Sequence, residues 1–301
     1  MSDRPPNEQT AVSVKKLNSI EEMHLVVELQ EQIWGYGSQG TDYPYPARAL
    51  LALASSGGLV SMAFVGDQPA GFALAWLGRL PGTRELYLHS QLLGVVQKYR
   101  GQGLGVQLKG HQKDYALNQG IGRIGWTYDP LRTTNAYFNL HKLGAVTRHY
   151  FSDYYGKMKS ALSLGQTSDR LWADWHIDSE RVDRRLRAKA PDKLSKEWEF
   201  AISTLVRDRD AFGFKTPVGL ELDHTCRHVL VEIPTDFDQL LVLDKSLAEA
   251  WRGMIRRALL HYLSSGYVAD DFLFVSDDSA RAAYYCLTRI DAEDPSKDRQ
   301  D

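Results

Sequence analysis

The apolar positions change their period along the chain, and each change marks an element. Val12-Ser13-Val14 alternates, which predicts a first strand. Ile20, Met23, Val26, Val27 and Ile33 recur at helical spacing behind Asn18 or Ser19 as cap, predicting a helix over 20–33 that ends at Trp34-Gly35-Tyr36-Gly37. Pro46 opens a second helix through Ala54. Two strands follow over 59–65 and 70–77, about a Gly66-Asp67-Gln68 turn, and a longer one over 85–96. Leu104, Leu108, His111 and Tyr115 line one face of a helix over 103–118, stopped by Gly120. A strand over 121–127, a short helix from Thr134 or Asn135 to Gly144, and an extended aromatic stretch over 145–155 complete the first half.

The second half is patterned differently. A charged helical run over 180–189 interleaves Arg181, Arg184, Arg185 and Arg187 with Asp178, Glu180, Asp183 and Asp192, as a solvated face does. Ala190-Pro191-Asp192 is a break. Strands over 227–233, 267–275 and 281–288, a helix over 246–263 and a turn over 276–279 follow. Strand, helix and strand here parallel the order of 92–96, 103–119 and 121–126, so this lobe is either a partial repeat of the first half or an ordinary α/β extension.

Composition narrows the class. The chain has 301 residues, 43% hydrophobic and 25% charged, enough for a sizeable core. A net charge of −2 gives no support to a nucleic-acid or membrane-surface partner. Cys226 and Cys286 make no disulfide framework. With neither a signal-like start nor a long apolar run, a cytoplasmic protein is expected. Residues 1–10 and 291–301 are polar and read as flexible tails. His224-x-Cys226-x-His228 falls on one strand face, but nothing nearby completes four ligands, so no metal is expected.

The chemistry-bearing stretch is Leu92–Leu108. An apolar strand runs into Arg100-Gly101-Gln102-Gly103-Leu104-Gly105 and then into a helix. Glycines let successive amides face one concavity, the helix adds its positive end, and Arg100 adds a full charge; the ligand this suits is a phosphate or pyrophosphate. The nucleoside-triphosphate loop is excluded because Val106-Gln107 follows Gly105 where Lys-Ser or Lys-Thr is required. The dinucleotide fingerprint fails because neither frame, from Gly101 or from Gly103, meets its third glycine.

What remains, Val95-x-x-x-Tyr99-Arg100-Gly101-x-Gly103-Leu104-Gly105, resembles motif A of the GNAT superfamily of acyl-CoA-dependent acyltransferases, with Gln97 in place of the usual proline. Lys142-Leu143-Gly144-Ala145 resembles the family's second landmark. The resemblance covers roughly 12–160 and implies an α/β (α+β) GNAT fold with a mixed central sheet. The expected domains are therefore 11–165, the acyltransferase, and 166–290, a smaller α/β lobe. Leu88-His89-Ser90, Trp126-Thr127-Tyr128-Asp129-Pro130-Leu131 and Ser168-Asp169-Arg170-Leu171 further resemble a subgroup that includes amino-acid N-succinyltransferases.

The resemblance implies transfer of an acetyl or succinyl group from acetyl-CoA or succinyl-CoA to a primary amine, the partner being a small molecule such as an amino acid. Leu93, Gly94, Val95, Arg100, Gly101, Gln102, Gly103, Leu104, Gly105, Asn135 and Asn139 are the implied cofactor-binding residues. Many relatives protonate the leaving thiolate with a tyrosine at the position that is Leu140 here; Tyr137, about one helical turn earlier, is the nearest replacement. His89 is the candidate general base, with Glu85 and Asp129 as alternatives. Arg132, Lys142 and Arg148 are candidates to hold a succinyl carboxylate. A non-catalytic acyl-CoA-binding sensor or partner protein is the second class of function, and a homodimer is the expected assembly.

Overall fold

The computed structural model describes residues 11–35, 45–156, 167–187, 200–209, 213–276 and 281–290. The expected tails, the 165/166 boundary, the Ala190-Pro191-Asp192 break and the 276–279 turn lie wholly or largely outside the described residues. The chain forms two compact units, Met1–Ile124 and Gly125–Asp301.

In the first unit, β1 (Val12–Lys16), β2 (Leu59–Val65), β3 (Gln68–Arg79) and β4 (Leu86–Val95) form a sequential antiparallel series. Helix α1 (Ile20–Trp34) starts at a capping box, in which Ser19 accepts from the Glu22 amide and Glu22 reaches back to the Ser19 amide. It ends at Gly35, whose φ of 67° only glycine adopts without strain. Helix α2 (Ala47–Ser55) begins after Pro46 as the sequence predicts. Both helices cover one sheet face through Met23, Val26, Leu50 and Leu53, packed on Met62, Phe72 and Leu74. Each such side chain, fully withdrawn from water, contributes about 1.5–3 kcal/mol. Helix α3 (Leu104–Asn118) covers the other face through Leu104 and Leu108, over the small side chains Ala63, Ala70 and Ala73. Small residues there admit the helix backbone close to the sheet.

The face of α3 differs from the expected one. His111 and Tyr115 are only half-buried, and the buried stripe is Leu104, Leu108, Lys109, Gln112 and Ala116. Two polar side chains, Lys109 and Gln112, therefore lie inward on α3.

In the second unit, β5 (Arg123–Tyr128), β6 (Tyr150–Phe151) and β7 (Arg170–His176) associate in the order β5-β7-β6. Gly125 is required there, since a Cβ would come within 2.1 Å of Trp172. The helix predicted before Gly144 is α4 (Thr133–Ala136), which widens into a π-helical stretch over Tyr137–Lys142. Only Tyr150–Phe151 of the stretch expected to be extended forms a strand, with isolated bridges at Val146 and Thr147. Beyond it come α5 (Glu180–Arg187), β8 (Phe200–Ile202), β9 (Thr204–Arg209), β10 (Lys215–Leu220), β11 (His228–Ile233), α6 (Phe237–Leu243), α7 (Lys245–Ser264), β12 (Tyr267–Ser276) and β13 (Arg281–Arg289). Strands β9 and β10 pair with each other, and a smaller mixed sheet has the order β12-β13-β11-β8. Of the lobe, β11, α7, β12 and β13 lie where the sequence predicts them, whereas β7, β8, β9, β10 and α6 were not predicted, and β13 lies between β11 and β12 and is antiparallel to both. The two strands that parallel the first-half pair in sequence are thus not neighbours.

Among the described residues no helix is long and apolar enough to cross a membrane, and no cluster of three or more His, Cys, Asp or Glu side chains is placed to hold a metal ion. His224 instead lies 3.3 Å from Glu221, Cys226 bonds the His228 carbonyl, and His228 pairs with Thr288.

Candidate active site

Strand β4 carries a bulge. Leu74 pairs with Leu92 and Ala75 with Ser90, so Gln91 is the extra residue. The extra residue lets Ser90 and Leu93, three positions apart, both face α3: Ser90 bonds side chains of α3, and Leu93 and Val95 pack in the apolar cluster beneath it. What Leu93 and Val95 have left to offer a ligand is therefore their backbone. Gly94 faces the other helices, where a Cβ would come within 3.0 Å of both Ile33 and Trp34.

After a single 3-10 turn over Gln97–Tyr99 the chain enters the glycine stretch. Gly101 and Gly103 have φ of 77° and 81°, left-handed values that suit glycine alone, and Gly103 is the N-cap of α3. A Cβ built on either meets no heavy atom within 4 Å. The ground above the turn is thus open, and the helix N-terminus has no side-chain cap of its own. Gly105 lies within the first turn of the helix. Arg100 is exposed, and its Nε donates to the Val95 carbonyl at 3.0 Å, tethering its base while the charge stays at the surface. Gln102 is exposed and bonds the Lys98 carbonyl. Open amides at a helix N-terminus beside an exposed guanidinium fit a pyrophosphate.

Beneath the bulge lies a buried polar group that the sequence pattern did not disclose. Lys109 Nζ donates to Ser90 Oγ at 2.9 Å, and Ser90 Oγ donates to Gln112 Oε1 at 3.0 Å. Gln112 Nε2 is buried with no partner among the described residues. Burial holds the Lys109 ammonium well below its ordinary value. The unfolded chain then binds that proton more tightly, so stability rises with pH from the folded-state value up to 10.5. We expect urea denaturation of the wild type to show a gain as pH rises toward 10.5, and Lys109→Met to lose most of that gain. Equal gains in both proteins would refute the assignment.

His89, on the opposite face of β4, is half-buried and meets Tyr87 edge-on at 6.2 Å. Burial pushes its imidazole below the ordinary 6.5, the Gln91 hydrogen bond opposes this and the Lys109 charge adds to it. It is therefore uncharged at neutral pH, the state a proton acceptor needs. Of the alternatives, Glu85 is exposed and lies 4.0 Å from Arg123, whereas Asp129 is held by both terminal nitrogens of Arg252, at 3.3 and 3.1 Å.

In the second unit Tyr137 is partly exposed, Asn135 exposed and Asn139 buried, while Leu140 is fully buried. The Tyr137 ring stacks on His141 with centroids 4.6 Å apart, and Phe274 and the Lys142 ammonium pack against it at 5.3 and 5.5 Å. Of the candidate succinyl ligands, Arg132 is paired with Asp238, and Lys142 is engaged by the tyrosine ring.

A strand, an open left-handed glycine turn and a helix N-terminus without a side-chain cap form a candidate phosphate-binding site. Residues 23–144 match the Acetyltransferase (GNAT) family. That segment accordingly carries a GNAT acetyltransferase domain, of a family that uses acetyl-CoA as acyl donor, in the α/β fold with mixed sheet expected from the sequence. No curated protein matches the chain. Among solved structures it is similar to the ribosomal-protein-S18-alanine N-acetyltransferase from Escherichia coli, at 14% identity and a TM-score of 0.43, over 56% of this chain and 94% of that one. It is also similar to yncA from Salmonella typhimurium, solved with its cofactor acetyl-CoA, at 16% identity and a TM-score of 0.45, over 60% of this chain and 98% of that one. A third is the aminoglycoside acetyltransferase meta-AAC0020 from an uncultured soil metagenomic sample, at 12% identity and a TM-score of 0.36, over 41% and 82%. None of these singles out the subgroup resembling succinyltransferases.

Proposed function

We propose that the chain transfers an acetyl group from acetyl-CoA to the primary amine of a small molecule, such as an amino acid. The observation that carries this is the open turn from Arg100 to Gly105 at the start of α3, inside the segment that matches the family. Its amides and Arg100 hold the pyrophosphate, and the backbone of Leu93–Val95, offset by the bulge at Gln91, serves the thioester. Asn135, which is exposed, and Asn139, which is buried, are assigned to the cofactor on the family resemblance alone. The acetyl donor is the one used by the family that residues 23–144 match.

The amine must arrive uncharged, and His89 takes its proton directly or through water. The nitrogen attacks the thioester carbonyl, and the carbon–sulfur bond then breaks with its electron pair going to sulfur. Tyr137 gives its phenolic proton to the departing thiolate, the nitrogen gives up its second proton as the amide forms and so restores the tyrosine, and the proton first taken by His89 passes to solvent. The test is release of CoA thiol from acetyl-CoA and succinyl-CoA with a panel of amino acids, other small amines and peptides with free N-termini. Turnover of acetyl-CoA on a small amine is the expected result. Tight acetyl-CoA binding with no turnover on any acceptor would favour a sensor, and turnover on peptides alone would move the acceptor to proteins.

A further inference from the structure

The helix that bears Tyr137 is fixed by residues beyond the family match. His141, buried beneath the tyrosine ring and stacked on it at an interplanar angle of 17°, has Nδ1 2.9 Å from Asp271 Oδ1. Arg185 Nη2 donates to Asp271 Oδ2 at 2.6 Å. Burial alone would raise the Asp271 carboxyl, but the His141 hydrogen bond and the Arg185 charge hold it below the ordinary carboxylate value. Asp271 is thus an ionised acceptor, and His141 donates Nδ1–H to it, which sets the tautomer and the plane of the ring.

The aim of Asp271 is itself built in. In β12, Ala269 pairs with Leu287 and Asp271 with Cys286, so Asp270 is the extra residue of a bulge, the device that redirects a neighbouring side chain. Arg181 holds the Asp270 carbonyl and, through Nε at 3.0 Å, the Gly144 carbonyl. Phe274 of the same strand packs on the tyrosine ring. Against this bracing stands one free group: among the described residues the Tyr137 hydroxyl has no hydrogen-bond partner. The ring is thus clamped through its faces and not through its hydroxyl.

We propose that Asp271, through His141, is a positioning residue for acyl transfer that holds Tyr137 in the orientation from which it protonates the thiolate. The proposal rests on the role given to Tyr137 above. It assigns the C-terminal sheet a part in the reaction through β12.

A double-mutant cycle tests it, using acetyl-CoA and the amine turned over fastest in the panel. Tyr137→Phe should lower kcat at least about tenfold, and Asp271→Asn should lower kcat by a similar factor with KM for acetyl-CoA nearly unchanged. In the Tyr137→Phe background, Asp271→Asn should add almost nothing, because the group it positions is already gone. A merely structural Asp271 would lower kcat equally in both backgrounds, and that outcome overturns the proposal. If Asp271→Asn does not fold, His141→Gln takes its place in the same cycle with the same expectation. A wild-type enzyme that turns over with Tyr137→Phe unimpaired removes the tyrosine and its positioning residue together. No turnover by the wild type on any amine defeats acyl transfer itself, and is distinguished by failing before any variant is made.

Discussion

Gly103→Val should weaken acetyl-CoA binding by two orders of magnitude or more while leaving the fold in place. At φ of 81° a β-branched side chain is strained by about 1–2 kcal/mol, so the turn either holds at a cost or relaxes to a right-handed conformation. Relaxation swings the amides next to it out of the phosphate cradle. Charge-assisted hydrogen bonds contribute about 1.5–3 kcal/mol each, and loss of two exceeds the roughly 2.8 kcal/mol that corresponds to a hundredfold change in Kd. A Cβ built at the position meets no heavy atom within 4 Å beyond its chain neighbours, so crowding at that atom does not account for the effect. Titration calorimetry with acetyl-CoA reads the affinity, and thermal unfolding separates it from stability. An affinity within about threefold of wild type would mean that the pyrophosphate is held elsewhere.

Asp169→Ala should be the most destabilising single change in the second unit, by about 3–5 kcal/mol, as for other buried pairs broken on one side. Asp169 is wholly inaccessible. It accepts from Arg256 Nε and Nη2 at 2.8 and 2.6 Å, from the Tyr150 hydroxyl, and from the Asp153 amide at 3.0 Å. Burial raises its carboxyl, but the hydrogen bonds from Arg256, Tyr150 and Asp153 together outweigh that and hold it below 3.8. A carboxylate with a depressed folded value contributes stability that is present above the unfolded value and disappears as pH falls through the folded one. The wild type should therefore lose stability below about pH 4 more steeply than Asp169→Ala does. Urea denaturation at neutral and acid pH measures both; a loss under about 1 kcal/mol at neutrality would show that Arg256 and Tyr150 find other partners.

Both sites had sequence signals of unequal clarity. The glycine turn was fully legible, because left-handed φ leaves few residue choices and Arg100, Gly103 and Gly105 stand at fixed spacing. The α1 boundaries were legible for the same reason, with Ser19, Glu22 and Gly35 each satisfying a specific orphaned backbone group. Asp169 stood within a quoted motif, Ser168-Asp169-Arg170-Leu171, but sequence gave no hint that its partner is Arg256 on α7. Lys109 and Gln112 were read past, since periodicity counts apolar positions and assigns charged ones to solvent. A signal did exist in β12: Asp270 and Asp271 are consecutive in an otherwise apolar strand, so alternation alone must turn one of them inward. The order of β11, β13 and β12 was not legible, because it is decided by which strand edges meet after folding rather than by any local pattern.

The family match ends at Gly144, and the way that end is finished bears on modularity. Leu143 and Gly144 present carbonyls that no continuing helix satisfies. Trp175 Nε1 reaches the first at 2.8 Å and Arg181 the second, and a Cβ on Gly144 would come within 3.0 Å of Arg185. The last landmark of the acyltransferase is therefore sealed by β7 and α5. A fusion or domain transplant that borrowed only the matched residues would carry away the phosphate cradle and leave behind the parts that close the helix bearing Tyr137. In this chain the transferable module is longer than the family that defines it.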